Sequence, residues 1–431
     1  MEEQRIGFMY LNLIQRRLER FWDGLFPRGL RRSSALPFIV IALVIAIPLI
    51  GWTLHMHGRF GALKREIKGD APSGPPAGPR PGGMDPIVLT RNQTAGSNMP
   101  EFHTATLLPG MGLEALQITA FLPGRGDVPL LVAPTLQAVA DGTAGPHAVF
   151  GAVQTPWSGL LTGVLTPVGN TFRAAFQGHT IEAPSEVQGH GSAVGGLLNL
   201  LGADEVRVSP LGDSSSVEAT FRSTDFDGRW TSRNDISMTF AMGARTIDLT
   251  VHIKNVGDQP EPMGVGWQPQ FVIPSGNREA AEIHLPAAHQ LQLNDRARGL
   301  PTGRFIPTTS SIAHFQSHPA AIGLEPLDEI LTHLTAGLMD NGPTAEIRDP
   351  ASEFGLRMTA ISSSIHSLHV TSPVGANYVS LGMQTNYDDP LGKQWRDVDD
   401  PAIVTLLPGQ TLDWKVRLEI FSVANRSAMT R

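Results

Sequence analysis

Carboxylates and closely spaced histidines are the groups in this sequence whose types and spacing could do chemistry. Asp388 and Asp389 are followed by Asp397, Asp399 and Asp400, so five acidic side chains share one short stretch. Calcium binds several oxygen ligands at once, and such a stretch could supply them. A solvated charged loop is the simpler interpretation, and it is the one that we favour.

His366 and His369 lie three residues apart, and paired histidines can hold a metal ion. The residues around them are typical of a strand and a turn, so we expect no metal pair there. The chain contains no cysteine, which excludes disulfides, thiolate catalysis and cysteine-ligated metals. The sequence therefore predicts no metal site.

Several well-known enzyme motifs are missing from the sequence. It contains no G-x-G-x-x-G after a strand, no P-loop, no H-E-x-x-H and no G-x-S-x-G. We therefore predict no cofactor and no nucleophile elbow. Lys and Arg total 33 against 40 Asp and Glu, and this net charge of −7 argues against binding to nucleic acid.

A fold must position any such site, and the length and composition of the chain already restrict the possible fold classes. The 431 residues are 41% hydrophobic and 17% charged, so most of the chain should bury a core. Glycine (45) and proline (34) exceed the roughly 12% of residues that the two usually make up. This excess favours a turn-rich β protein over a helical bundle.

An uncharged run near the N-terminus predicts a membrane anchor. Residues 35–54 are apolar, and at about 1.5 Å per residue they span a hydrocarbon core of roughly 30 Å. Trp52 lies at one end, as interfacial aromatics do. A cleaved signal peptide is the alternative, but its apolar region would be shorter and would end in a small-residue cleavage site. We expect one transmembrane helix.

More basic residues precede this run than follow it, so the N-terminus is predicted to be cytoplasmic and the main domain periplasmic. Residues 1–34 then form a basic amphipathic arm on the inner, cytoplasmic membrane. Residues 55–86 are rich in proline and glycine and form a linker. Residues 87–424 make up the folded domain, and residues 425–431 are a short tail.

Alternating apolar and polar residues run through the large domain and predict strands with one buried face. Turn signals that contain glycine separate these runs, and no fixed repeat indicates a propeller or a solenoid. The clearest alternation occurs at residues 217–221, 236–240, 246–254, 357–360 and 367–371, and residues 407–421 read as a turn that leads into a long alternating strand.

Six stretches, taken in order, resemble the aldose 1-epimerase family, also called galactose mutarotase-like. The resemblance covers roughly 220 residues and implies a large antiparallel β-supersandwich with the sugar in a cleft on one sheet. The predicted fold is therefore mainly β, preceded by one transmembrane helix. The stretches are residues 160–183, 188–191 (QGHG), 264–271 (GVGWQPQF), 294–303 (ending in LPTG), 327–330 (LDEI) and 379–385 (VSLGMQT).

The resemblance also implies a chemistry. In that family a glutamate removes the anomeric hydroxyl proton and a histidine protonates the ring oxygen, as general acid–base catalysis requires. A second histidine and an aspartate bind sugar hydroxyls, and an arginine assists. Here the residue after Asn170 is Thr171 in place of that arginine, with Arg173 two positions further on.

The two proton-transfer positions are altered in this sequence. Gln268 replaces the general-acid histidine, and Gly382 stands where the family has its glutamate. An amide binds a hydroxyl but does not exchange a proton near neutral pH. His190 matches the other histidine and is the candidate catalytic residue, and Asp328 matches the sugar-binding aspartate.

The predicted substrate-binding residues could supply hydrogen bonds and an apolar platform without catalysing the reaction. If the match slips by a few residues, Glu325, Glu329 or Asp388 could serve as a base instead. Trp267 and His190 could equally be buried core residues. The predicted set is His190, Trp267, Gln268, Gln270 and Asp328.

Three functions from different classes fit these observations. We favour a membrane-anchored, extracytoplasmic carbohydrate-binding protein with weak or lost epimerase activity, whose partners are a sugar or oligosaccharide and the inner membrane. The alternative is an active aldose 1-epimerase, or a related carbohydrate-active isomerase, with relocated acid and base. A structural subunit of a membrane protein complex fits the anchor and linker but no particular residue.

Overall fold

The computed structural model describes residues 78–424, except 93, 95–96, 145–150, 168–169, 186–190, 212–213, 296–297 and 400–401. The predicted arm, the predicted transmembrane helix, most of the linker and the tail lie outside these residues, as does His190. In the part that is described, no helix is long and apolar enough to cross a membrane. The anchor therefore stays a prediction from the sequence.

Strands dominate the described chain, which also contains two short α-helices, Leu136–Ala140 (α1) and Ser310–Ser317 (α2). Strands β1 to β28 run, in order, over Ile87–Thr90, Glu101–Leu108, Glu114–Leu122, Gly126–Pro129, Val153–Gln154, Leu160–Thr162, Val164–Leu165, Thr171–Phe176, His179–Pro184, Ser192–Val194, Glu205–Leu211, Ser214–Thr224, Asn234–Met242, Thr246–Asn255, Glu261–Met263, Gly266–Trp267, Gln270–Val272, Glu282–His284, Ala287–Asp295, Leu300–Pro307, Ala320–Ala321, Leu327–Thr335, Thr344–Asp349, Phe354–Ala360, Ser367–Ser372, Tyr378–Gln384, Val404–Leu406 and Thr411–Ser422.

Two large antiparallel sheets form the framework. One has nine strands in the order β11-β12-β13-β14-β28-β24-β23-β18-β21. The other has eight, in the order β20-β19-β22-β25-β26-β16-β5, with β17 also paired to β26. Smaller sheets join β1 to β4 and β7 to β9, and two-stranded pairs join β6 with β10 and β15 with β27.

The strands that alternation predicts are confirmed. The predicted runs 217–221, 236–240 and 246–254 fall inside β12, β13 and β14, which are neighbours in the nine-stranded sheet. Runs 357–360 and 367–371 fall inside β24 and β25, and the strand predicted within 407–421 is β28, which begins at Thr411 after the predicted turn. Period-2 patterning was sufficient here because each of these strands buries one face.

One contiguous cluster of buried side chains draws on both large sheets. Met238 and Trp414 of the nine-stranded sheet belong to it, and so do Leu368, Leu381 and Met383 of the eight-stranded sheet. Successive side chains of a strand point to opposite faces. The residues between these positions in β25 and β26 therefore project to the other face of the eight-stranded sheet, which we call the outer face.

A covering segment, residues 386–399, follows β26 and packs on part of the outer face. Tyr387 and Trp395 of this segment stack with ring centroids 5.2 Å apart, and Phe305 of β20 lies against both rings. Leu291 of β19 and Ile330 of β22 complete this second apolar cluster. The cluster fixes the segment to the sheet beside the residues described next.

Candidate functional site

The outer face carries a row of residues contributed by adjacent strands. His369 of β25 lies opposite Gly382 of β26 on one side and opposite Ile330 of β22 on the other. Gln268, just after β16, reaches over Gly382 from the far side of β26. Strand pairing thus brings together two positions that the resemblance singled out, Gln268 and Gly382, and His369, which the sequence analysis considered only as a metal ligand.

Gln268 occupies the space that a side chain at position 382 would need. A Cβ atom added at Gly382 would lie 2.8 Å from Cγ and 3.1 Å from Cδ of Gln268. Real Cβ atoms essentially never approach another heavy atom so closely. The glutamate that the resemblance implies at this position therefore does not fit beside the glutamine as it lies here.

Substituting Gly382→Ala should lower the free energy of unfolding by about 1–3 kcal/mol, because added atoms in a packed site force neighbours to move. Combining it with Gln268→Ala should recover most of that loss, since shortening Gln268 removes the clash. Urea unfolding of the two single variants and the double variant measures both effects. Strictly additive losses would contradict this packing arrangement.

Asp328 and His369 form an ion pair on the solvent-exposed side of the row. Nε2 of His369 lies 2.9 Å from Oδ1 of Asp328, whose side chain is about half exposed. Nδ1 of the same imidazole is buried and has no hydrogen-bond partner among the described residues. The histidine is therefore oriented by one carboxylate while its second nitrogen keeps unused hydrogen-bonding capacity.

Several charges act on His369. Burial of the ring works to lower the pKa of His369, but the hydrogen bond that His369 donates to Asp328 and the negative charges of Asp388, Asp328 and Glu329 outweigh it, so that the pKa is raised. A raised pKa keeps the imidazole protonated to higher pH. The outer face therefore presents the imidazole of His369 as a hydrogen-bond donor beside the exposed carboxylate of Asp328.

Asp388, in the covering segment, lies beside the row and is only 3% exposed. Its Oδ1 accepts a hydrogen bond from Nε2 of Gln384 at 3.2 Å. Burial raises the pKa of Asp388, and the positive charge of His369 acts in the opposite direction. Gly159 makes room for this carboxylate: its φ is +69°, and a Cβ there would lie 2.1 Å from Asp388 Oδ1.

A buried hydrogen-bond network holds Gln384 in place. The hydroxyl of Ser158 lies 2.8 Å from Oε1 of Gln154 and 3.0 Å from Oε1 of Gln384. The side-chain amide of Asn386 binds the backbone of Ser158 twice, at 3.0 and 2.7 Å. Because this network fixes the oxygen end of Gln384, the nitrogen end is directed at Asp388.

The structure changes the interpretation of the acidic stretch. Asp397 and Asp399 are exposed, as expected for a solvated loop, but Asp388 and Asp389 are buried and bonded to protein groups. Asp389 accepts hydrogen bonds from the backbone and hydroxyl of Thr162, both at 2.9 Å. Across the described residues, no three His, Asp or Glu side chains come together in a metal-binding arrangement.

Trp267 and Gln270 are placed differently from Gln268. Trp267 is fully buried, and its indole nitrogen donates to the carbonyl of Gly151 at 3.0 Å. Its ring faces the main core, so it is a packing residue and offers no platform on the outer face. Gln270 pairs with Ser380 on β26 and is largely buried on the outer side.

The two glutamates near Asp328 do not join the row. Glu329 pairs with Val370, whose side chain lies in the main core, and it accepts a hydrogen bond from Gln290. It therefore lies on the opposite face of β22 from Asp328. Glu325 is exposed before the strand begins, and only its backbone carbonyl is engaged, by Arg278 at 2.7 Å.

A cavity of about 690 Å³ lies next to Asp389. Its walls come from the β6–β8 region, from β20 and the end of β19, and from the covering segment. Arg173 lines it, and this arginine pairs with Glu182 through Nε at 2.9 Å. The cavity also contains Thr302 of the Leu-Pro-Thr-Gly loop, so two of the stretches singled out in the sequence meet here.

Sequence reasoning missed His369 as a site residue. The alternation of β25 places it on the face away from the core, which was visible in the sequence. Its place opposite Gly382 depends on the register between β25 and β26, and no local pattern gives that register. Asp388 entered only as a substitute base, without the burial that now defines its surroundings.

The described domain has the fold of galactose mutarotase-like proteins. A galactose mutarotase-like protein from Clostridium acetobutylicum is similar over 79% of this chain and 99% of its own, with a TM-score of 0.60 and 14% identity. An aldose epimerase homologue from C. elegans is similar over 79% of this chain and 99% of its own (TM-score 0.57, 16% identity). Galactose 1-epimerase from Lactobacillus acidophilus is similar over 79% of this chain and 99% of its own, with a TM-score of 0.55 and 12% identity.

No protein-family model matches the sequence, and no curated protein sequence matches it either. The structural similarity establishes the aldose 1-epimerase-like fold, and sequence identities this low leave the activity open. The predicted mainly β fold is thereby confirmed for the described domain.

Proposed function

We propose that this protein binds a carbohydrate on the outer face of the eight-stranded sheet and has weak or no epimerase activity. One observation carries the proposal. The row combines hydrogen-bonding groups, Asp328, His369 and Gln268, with a glycine at the position where the resembled family has its base. Such a row supplies partners for sugar hydroxyls, whereas an amide and a glycine cannot exchange protons.

Calorimetry with monosaccharides and oligosaccharides, together with polarimetry on freshly dissolved α-glucose and α-galactose, tests this function. We expect measurable binding and mutarotation at the rate of buffer alone. Asp328→Asn should weaken binding about tenfold, because a charged acceptor of a hydrogen bond contributes roughly 1.5–3 kcal/mol.

Asp413→Asn is the matched control, since Asp413 pairs with His252 in another exposed Asp–His pair on the nine-stranded sheet. This variant should bind as the unsubstituted protein does. Equal losses in the two aspartate variants would place the effect outside the outer face, and the absence of all binding would reject the proposal.

A second candidate function is an isomerase with relocated acid and base. The specific observation in its favour is that His369 lies between the charges of Asp328 and Asp388 and keeps a free ring nitrogen. A mutarotation rate well above that of buffer, which is lost in His369→Gln and kept in His252→Gln, would favour this candidate over simple binding.

We further propose that residues 35–54 anchor the protein in the inner membrane and that the sugar-binding domain lies in the periplasm. The apolar run and the arginines before it support this location. A reporter enzyme fused to the C-terminus should be active only when it is exported. Activity of a cytoplasm-dependent reporter at the same position would reverse the topology.

A further inference from the structure

The cavity beside Asp389 has a charge unlike that of the whole chain. Three cationic side chains line it, Arg173, Lys393 and Arg396, against the single carboxylate of Asp389. The full sequence carries a net charge of −7, so an excess of positive charge in one concave region does not follow from overall composition. Local concentration of one sign of charge in a cleft attracts ligands of the opposite sign.

The carboxylate in the wall is already engaged by the protein. Asp389 is 4% exposed, and its Oδ1 accepts from the backbone and the hydroxyl of Thr162. Its Oδ2 accepts from Nε2 of Gln394 at 3.0 Å. Because neutral donors occupy both oxygens of Asp389, this carboxylate does not pair with the cationic side chains in the cavity wall.

Two of the cations remain available to a ligand. Lys393 and Arg396 are exposed, and within the described residues neither forms an ion pair with a carboxylate. Arg173 differs, because Glu182 binds its Nε. An arginine presents a planar fork of donors and a lysine a compact ammonium, and both groups bind carboxylate and phosphate oxygens.

The remaining walls and the position of the cavity match a sugar. Asn294 and Thr302 add neutral hydrogen-bonding groups, and Leu300 and Pro301 add apolar surface. The volume of about 690 Å³ falls within the range of small-ligand sites. Asp389, in the cavity wall, directly follows Asp388, which accepts a hydrogen bond at 3.2 Å from Gln384 on the outer face of β26, so the cavity lies near the outer face.

We propose that this cavity binds the oxyanion of an acidic carbohydrate, either the carboxylate of a uronic acid or the phosphate of a sugar phosphate. The inference rests on the proposed sugar-binding function and names its ligand class. The sugar ring lies toward the outer-face row, and the anionic group is bound by Lys393 and Arg396.

Calorimetry on the full chain in detergent tests the proposal with four probes: glucuronate, glucose 6-phosphate, glucose and inorganic phosphate. At low salt at least one anionic sugar should bind about tenfold more tightly than glucose, and this preference should shrink as salt screens the charges. Whichever anionic sugar shows the preference identifies the anion as carboxylate or phosphate.

The double variant Lys393→Gln with Arg396→Gln should lose the preference and bind glucose as before. Arg229→Gln is the matched control, because Arg229 is an exposed arginine whose partner is Asp227 on another loop. A preference that survives in the double variant, or equal binding of glucose and both anionic sugars, overturns the acidic-sugar assignment while the proposed function stands.

Failure of the proposed function has a different signature. If phosphate alone binds and is lost in the double variant while no sugar binds, the cavity is an anion site and the carbohydrate function is rejected. If none of the four probes binds, the acidic-sugar assignment is overturned, and the proposed function is decided by the oligosaccharide calorimetry described above.

Discussion

Replacing His369 with glutamine should lower the free energy of unfolding by about 1–3 kcal/mol, because it breaks the ion pair with Asp328 and removes a positive charge that favours the buried carboxylate of Asp388. Hydrogen bonds to charged groups contribute roughly 1.5–3 kcal/mol. Asp388 is 3% exposed, and His369 exerts the largest favourable charge effect on it. Urea unfolding followed by circular dichroism measures the loss.

A double-mutant cycle identifies the cause. Asp388→Asn in the His369→Gln background should restore at least 1 kcal/mol, since no buried charge then lacks a partner. His252→Gln is the matched control: its partner Asp413 is exposed, so the expected loss is below about 1 kcal/mol. Additive effects at positions 369 and 388 would contradict the charge pairing.

The second large effect concerns pH. Glu114 and Glu261 are buried at 1% and 0% exposure, and burial raises the pKa of each to about 8. For Glu261 the hydrogen bond from Asn234 Nδ2, at 2.9 Å, opposes the rise without cancelling it. Both carboxyls are therefore protonated in the folded protein at neutral pH.

The sign of the pH dependence follows from these values. The unfolded chain releases these protons near pH 4.5, whereas the folded chain keeps them up to about pH 8. The contribution of these two carboxyls to stability is therefore fully present below pH 4.5 and is lost as the pH rises to about 8. At 1.36 kcal/mol per pH unit, each group lowers the free energy of unfolding by up to about 5 kcal/mol over this window.

Glu261→Gln tests this expectation, because glutamine keeps the hydrogen bond to Asn234 without titrating. At pH 8 the variant should unfold at higher urea than the unsubstituted protein, and its stability should vary less between pH 5 and 8. Glu218→Gln on the exposed side of β12 is the control and should follow the unsubstituted protein. A stability of the unsubstituted protein that does not change between pH 5 and 8 would contradict the raised pKa values.

The strands could be predicted from local pattern because so many of them bury one face, whereas the β-supersandwich fold came from the family resemblance. In β14 and β28 the buried and exposed positions alternate over nine or more residues, and the sequence shows this directly. The order in which the strands pair is not a local property. The neighbours of β28, which are β14 and β24, lie far from it along the chain.

The candidate site was predictable only in part, for the same reason. Gln268 and Gly382 could be singled out through the resemblance, and strand pairing does bring them into contact. The orientation of Trp267 into the core depends on which face β16 buries, and a strand of two residues carries no period to show it. The burial of Asp388 depends on a covering segment whose path no sequence pattern predicts.

The contact between Gln268 and Gly382 also constrains the order in which mutations can be accepted. A larger residue at position 382 meets the side chain of Gln268 at 2.8 Å, so it costs stability for as long as Gln268 keeps its place. A smaller residue at position 268 meets no such obstacle. A carboxylate at position 382 is therefore tolerated better when position 268 has changed first, so the two positions are epistatic and the order of the two mutations affects their cost.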